Sequence, residues 1–280
     1  MRYDRFMRSH VRHVRHHVKS HASYYAAGAI ALVVIAGGLW FMRGFIRDSF
    51  AEASKPSVPL AVAYKPPATP TPSNVPVIPV ANAVSTSTEF AKELNLEVPF
   101  LLQAPKQNWV APFEDACEEA SLLMVNAYYK ERGHGWTADE GEKDILEVVA
   151  YEDTTYGYNK DTTANDVAHT ATGHFGFAKA QVIEANEFNI KNMLNMGYPI
   201  IIPADGKLLK NPNFRNGGPE YHMLVIKGYN ADGSWVTNDP GTRKGADYVY
   251  PHDRLLNAIH DFNADGMELG AKVMVVILPQ

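Results

Sequence analysis

The chain is expected to fold as α+β, and three observations point there. Residues 117–175 carry apolar side chains at helical spacing. Residues 199–278 carry short β-branched and aromatic runs cut by turn residues. Two of those runs flank Asn230-Ala-Asp-Gly233 and form a hairpin. Helices gathered early and strands gathered late belong to the α+β class rather than to an alternating chain.

Taken in order, Val98-Pro-Phe-Leu-Leu-Gln103 reads as a short strand. Residues 117–129 form a helix, with Ala120, Leu123, Met124, Ala127 and Tyr128 three or four apart. Residues 139–149 and 164–175 read as helices too, the second capped by Thr163. A short helix over 189–196 is stopped by Gly197 and Pro199. Residues 199–203 make a buried strand, 222–229 and 234–238 make the hairpin, and 272–278 a last strand.

Charge is unevenly placed before this body, in a chain of 280 residues with net charge -5. Residues 1–47 hold eight Lys/Arg against one acid, Asp4, for +7; the remainder holds 18 bases and 30 acids, for -12. An acidic body lacks the basic footprint of a nucleic-acid binder. Residues 24–42 carry no charge and are just long enough to span a bilayer of about 30 Å. Tyr24, Tyr25 and Trp40 sit at its ends, and six bases precede it. The positive-inside bias puts the N-terminus in the cytoplasm and the body outside. An uncleaved anchor is favoured over a signal peptide, because no small-x-small site closes the run. Its head, 1–23, holds His10, His13, His17 and His21 on one helical side, without a carboxylate or thiol to complete a metal site. It reads as a cationic stretch against anionic lipid. Residues 43–88, Pro-rich from 54 on, read as an extended spacer. The body is expected over 89–280.

Cys117 is the single cysteine, so no disulfide forms within the chain and no Cys-rich zinc site exists. No cofactor or metal is expected. Cys117 falls where a helix begins, and unsatisfied N–H groups with the macrodipole favour a thiolate there. Glu118 and Glu119 would oppose it if they faced it; successive helical residues diverge by about 100°, so both are expected to point away. The competing reading is a buried structural cysteine. A nucleophilic thiol needs a base. His222 stands at the edge of the hairpin, after Gly217-Gly-Pro-Glu-Tyr221, whereas His134, His169 and His174 read as solvated. Hairpin register chooses the partner of His222. A two- or four-residue loop brings Asp239 to its face, and a three- or five-residue loop brings Asn238. Asp232-Gly233 favours the short loops and hence Asp239. The backbone N–H of Cys117 is one oxyanion donor. Gln103 is a candidate second, against a solvated Gln at a strand end.

These parts resemble one family. Val98-Pro-Phe-Leu-Leu-Gln103, Trp109, Ala116-Cys-Glu-Glu-Ala-Ser121 before Tyr128-Tyr129, Tyr221-His-Met-Leu-Val-Ile-Lys-Gly-Tyr229 and Asn238-Asp-Pro-Gly241 look like the bacteriocin-processing-like (double-glycine) cysteine peptidases of the papain superfamily. The resemblance covers residues 95–280. It implies a papain-like fold, peptide or protein substrates, Cys117 as nucleophile, His222 as base, Asp239 as orienter and Gln103 as oxyanion donor. Where the family often carries Gly-Pro after the nucleophile, this chain has Glu118-Glu119. No transporter-like segment accompanies the body, so leader-peptide processing does not follow. The expected function is therefore a membrane-anchored extracytoplasmic cysteine peptidase. The alternatives are a cell-wall peptidoglycan amidase or endopeptidase, which calls for a wall-binding repeat that is not seen, and a non-catalytic peptide-binding module. A sortase is disfavoured, because its His precedes its Cys.

Overall fold

The computed structural model describes residues 56–65 and 90–279, with a few positions between 35 and 43. The head and most of the apolar run 24–42 lie outside the described residues, as does most of the stretch read as a spacer. Among the described residues no helix is long and apolar enough to cross a membrane. The chain divides into two compact units, Met1–Ser57 and Val58–Gln280, and the second carries everything below.

That unit is α+β. Helix α1 (Cys117–Tyr129) sits at its centre, and every residue in it but Asn126 is buried. An apolar stripe alone would cover one face; here Glu118, Glu119 and Ser121 are buried as well. The reason is the packing. Strand β4 (Tyr221–Tyr229) covers one side of α1, and α2 (Ala138–Thr155) and α3 (Ala164–Gly173) cover others. Thr137 and Thr163 open α2 and α3 with reciprocal capping boxes to Glu140 and Asp166. This satisfies two orphan donors at each start. Helix α4 (Glu187–Asn195) begins at the cap Asn186 and is followed by Gly197 at φ 84°.

The sheet has seven strands among the described residues, all antiparallel. They are β1 (Leu94–Asn95), β2 (Lys179–Glu184), β3 (Ile200–Asp205), β4, β5 (Trp235–Asn238), β6 (Tyr248–Tyr250) and β7 (Val273–Leu278). The path runs β2-β7-β3-β4-β5-β6, with β1 on β4. Central β3 and β4 are buried on both faces, which is why their sequences run apolar instead of alternating. Helix α5 (His252–Ala258) follows β6.

Three expectations need correction. Residues 98–103 are not a strand; Pro99 has no N–H for a ladder. The segment is held instead by Asn238 Nδ2 donating to Val98 O (2.9 Å) and by Gln103 N donating to Pro240 O (3.1 Å). Strands β1, β2 and β6 and helix α5 have no counterpart among the expected elements. Part of the stretch read as spacer is docked on the body: Val62 pairs with Leu96 in a parallel bridge, Asn95 Nδ2 donates to Pro59 O, and Tyr64 packs edge-on against Tyr128 and Tyr129.

The hairpin register has two parts. Tyr229 opposes Trp235 and Gly228 opposes Val236, so the connection is a five-residue loop. Alone, that loop would turn Asn238 to the His222 face. A bulge between Ile226 and Gly228 adds one residue to β4, and beyond it Ile226 opposes Thr237 and Val225 opposes Asn238. The odd sum is thereby restored, and Asp239 continues on the face of Leu224 and His222. The expected residue arrives by a route other than the expected one.

Candidate active site

The N-terminus of α1, the start of β4 and the loop after β5 meet at a cleft of about 490 Å³. Cys117, His222, Gln103 and Glu118 line it together. Cys117 opens α1, as expected from the sequence. Its Sγ accepts from the N–H of Met223 at 3.3 Å, which sets the sulfur against the backbone next to His222.

His222 is buried, and its Nε2 lies 2.8 Å from Asp239 Oδ1. A carboxylate can only accept, so Nε2 carries the hydrogen, and in the neutral ring Nδ1 is the nitrogen that keeps its lone pair. The ring is gripped by Phe214, edge-on at 5.3 Å between centroids. On another side lies Gly241, where a Cβ would stand 2.8 Å from His222 Cε1 and 3.0 Å from Phe214 Cε1. A side chain at 241 would push the imidazole out of place.

Asp239 is fully buried and accepts four hydrogen bonds. Oδ1 takes His222 Nε2 and the N–H of Gly241 (3.0 Å); Oδ2 takes the Tyr250 hydroxyl (2.5 Å) and Asn211 Nδ2 (3.1 Å). Burial pushes its carboxyl up, but the His222 charge and these donors outweigh it, and the net shift is below the ordinary 3.8. Asn238 faces the other way, with Nδ2 toward Val98 O and Oδ1 accepting from Asp247 N. Asn211 and Tyr250 have no signal in the sequence, being 28 and 11 residues from Asp239. Removing this carboxylate strands four donors in a dry site. Asp239→Ala is expected to lose about 3–5 kcal/mol in urea unfolding. A loss under about 1 kcal/mol would mean the donors do not depend on it.

Two sequence expectations change here. The buried Gln103 does line the cleft, yet its Nε2 donates to Phe113 O (3.1 Å) and Glu114 O (2.9 Å). Both amide hydrogens are committed to the loop before α1. Gln103 therefore anchors the approach to the nucleophile, and would have to release a carbonyl before donating to an oxyanion. Of the two acids after Cys117, Glu118 does not point away, whereas Glu119 makes no contact with the sulfur. Cys117 Sγ–H donates to Glu118 Oε2 at 3.0 Å, because α1 has no solvent face near its start for that side chain to take. Burial first, then the Glu118 charge and its hydrogen bond, push the thiol well above its ordinary value; Met223 N–H pulls it down by less. The resting thiol is thus protonated, in contrast to the ionised thiol a bare helix N-terminus favours. Sγ has no hydrogen bond to the His222 ring in this state.

Behind the nucleophile lies a buried acidic group. Glu119 and Glu152 are both buried there, the two carboxyl oxygens of Glu119 have no hydrogen-bond partner, and burial raises both acids. Glu152 is pushed up to about 8. Among the described residues no group of three His, Cys, Asp or Glu is placed to hold a metal ion.

Residues 95–264 match the Peptidase_C39 like family. No curated protein matches the chain significantly. Solved structures similar to it include an inferred C39-like peptidase from Bacillus anthracis, at TM-score 0.42 and 16% identity over 66% of this chain and 96% of that one. A prointerpain A fragment from Prevotella intermedia gives 0.40 and 16%, over 67% and 72%. Procathepsin L 3 of the Tenebrio molitor larval midgut gives 0.28 and 11%, over 69% and 72%.

Proposed function

This chain belongs to the Peptidase_C39 like family and is a cysteine-type peptidase, and on that footing we propose that Cys117, His222 and Asp239 carry its chemistry. The observation that supports this reading most is the set of bonds around His222. Asp239 fixes the imidazole through Nε2 and leaves Nδ1 basic, while the neighbouring Met223 N–H holds the sulfur. His222 Nδ1 takes the thiol proton, the thiolate adds to a peptide carbonyl, and the backbone N–H of Cys117 faces the oxyanion. The imidazolium then gives its proton to the leaving amine, and a thioester on Cys117 remains. Water, deprotonated by the same imidazole, releases the acid and frees the thiol. The cleft walls carry both signs, Glu114, Asp115 and Asp161 beside Arg215, Arg243 and Lys244, which suits a peptide of mixed charge.

The uncharged run 24–42 and the bases before it support a signal anchor holding this domain outside the cytoplasm. Hydrolysis of a mixed fluorogenic peptide pool by the full-length chain tests the enzymatic part. Wild type is expected to cleave and Cys117→Ala to be inactive; equal cleavage by both removes Cys117 from the chemistry. For the anchor, the chain is expected in the membrane fraction after a carbonate wash, and its release would overturn the anchor alone.

A further inference from the structure

The proposed mechanism uses Cys117 and His222 at the cleft with Asp239 behind them, and leaves another cleft side chain unexplained. Glu118 lies 3.0 Å from Cys117 Sγ, is 1% exposed and lines the same cleft. A charged carboxylate in contact with a nucleophilic sulfur would work against the thiolate. Buried without a cation, it would also be costly in its own right.

We propose that Glu118 is a further catalytic residue: as a neutral carboxyl it donates a hydrogen bond to the Cys117 thiolate, and as a carboxylate it suppresses that thiolate. This rests on Cys117 being the nucleophile and His222 the base. In the resting enzyme the thiol hydrogen points at Glu118 Oε2. When His222 takes that hydrogen, Glu118 keeps its own proton and turns its O–H to the sulfur. The ionised sulfur then has two donors, Met223 N–H and Glu118 O–H. No proton is gained or lost beyond the one moved from sulfur to imidazole.

The surroundings favour the neutral form. Facing Glu118 are Cys117 and Glu119 on its own helix, Glu152 from α2, Asp161 from the α2–α3 loop, and Tyr221 and His222 from β4. Tyr221 gives its hydroxyl to Thr162 O (2.9 Å) and Asp261 Oδ1 (3.2 Å). Lys160 is engaged with Asp115. Among the described residues no Lys or Arg forms an ion pair with Glu118. Burial first, then the charges of Glu152 and Asp161, push its carboxyl up to about 8, while its bond to Cys117 and its own backbone N–H pull down. The neutral form therefore dominates at pH 7 and is lost just above it.

The single cysteine makes the test direct: the rate of Cys117 alkylation by iodoacetamide in the full-length chain, from pH 6 to 9.5, read by intact mass. An ordinary thiol reacts faster as pH rises. The expected wild-type rate instead falls about fivefold between pH 7 and 9. Glu118→Gln keeps a neutral donor at every pH, so it is expected to abolish that fall. Glu118→Ala lacks the donor and is expected to react about tenfold more slowly at pH 7. A wild-type rate rising steadily from pH 7 to 9.5, or a Glu118→Gln profile with the wild-type fall, overturns the proposal. If either variant fails to fold, the wild-type profile decides alone. His222→Ala separates the two levels. Wild type faster than His222→Ala at pH 7 keeps the Cys117–His222 reading whatever Glu118 does; equal rates remove that reading and this proposal with it.

Discussion

Replacing His222 with alanine is expected to lower kcat/KM for peptide hydrolysis about 10³-fold, with KM little changed. The size follows from the resting state of the sulfur. Burial holds the thiol in its protonated form, and Met223 N–H offsets only part of this. Helix α1 supplies a dipole at Cys117, but in this dry setting it does not ionise the thiol unaided. Without an imidazole no proton acceptor oriented by Asp239 remains, and the attacking species is scarce near neutral pH. The fold should tolerate the change better than it tolerates Asp239→Ala. Asp239 would keep Gly241, Tyr250 and Asn211 as donors, and the gap would open between Phe214 and Gly241. Rates measured alongside melting curves check this. A His222→Ala enzyme within tenfold of wild type, equally folded, would mean that the thiol reaches its reactive form by another route.

The second large effect is on stability. Glu118 and Glu152 titrate at about 8 in the folded chain against an ordinary 4.5, and Glu119 is also raised. Raised carboxyls favour the protonated fold. Their contribution is fully present below about pH 4.5 and is lost as pH climbs through 8. Asp239 has the opposite sign: its contribution is present above 3.8 and lost as pH falls through its lowered folded value. Stability should therefore peak near pH 4.5–5 and decline toward pH 8.5. A tenfold gain in proton affinity on folding contributes about 1.4 kcal/mol per group, and the groups share protons, so the combined decline is on the order of 5 kcal/mol. For a domain of this size that lowers Tm by roughly 10–15 °C. Glu119→Gln removes one of these buried acids and should make the decline shallower. A Tm that is flat or rising between pH 5 and 8.5 would contradict the burial of these acids.

Several features could be read from the sequence because they are local. Helix α1 and its start at Cys117, the Thr163 cap and the stop at Gly197 follow from spacing, capping and backbone freedom within a few residues. Other features depend on what packs from afar. Glu118 and Glu119 look like ordinary first-turn acids until β4, α2 and α3 close around α1. Gln103 reads as a free donor until Phe113 and Glu114 turn their carbonyls to it. The two supports of Asp239, Tyr250 and Asn211, come from elsewhere in the chain. Hairpin register is intermediate: turn composition suggested a short loop, the loop has five residues, and the bulge at Ile226/Gly228 reversed the consequence. Pro-rich composition described a spacer well enough to miss that residues 58–65 lie on the body.

The proposed route breaks peptide bonds through a thioester on Cys117 with His222 as the base. Rapid acid quenching of the full-length chain during turnover of a peptide it cleaves, followed by mass mapping, tests it most directly. An acyl group on Cys117 is expected in wild type and its loss in His222→Ala. Turnover with no acyl group on Cys117, undiminished in Cys117→Ala, would contradict it.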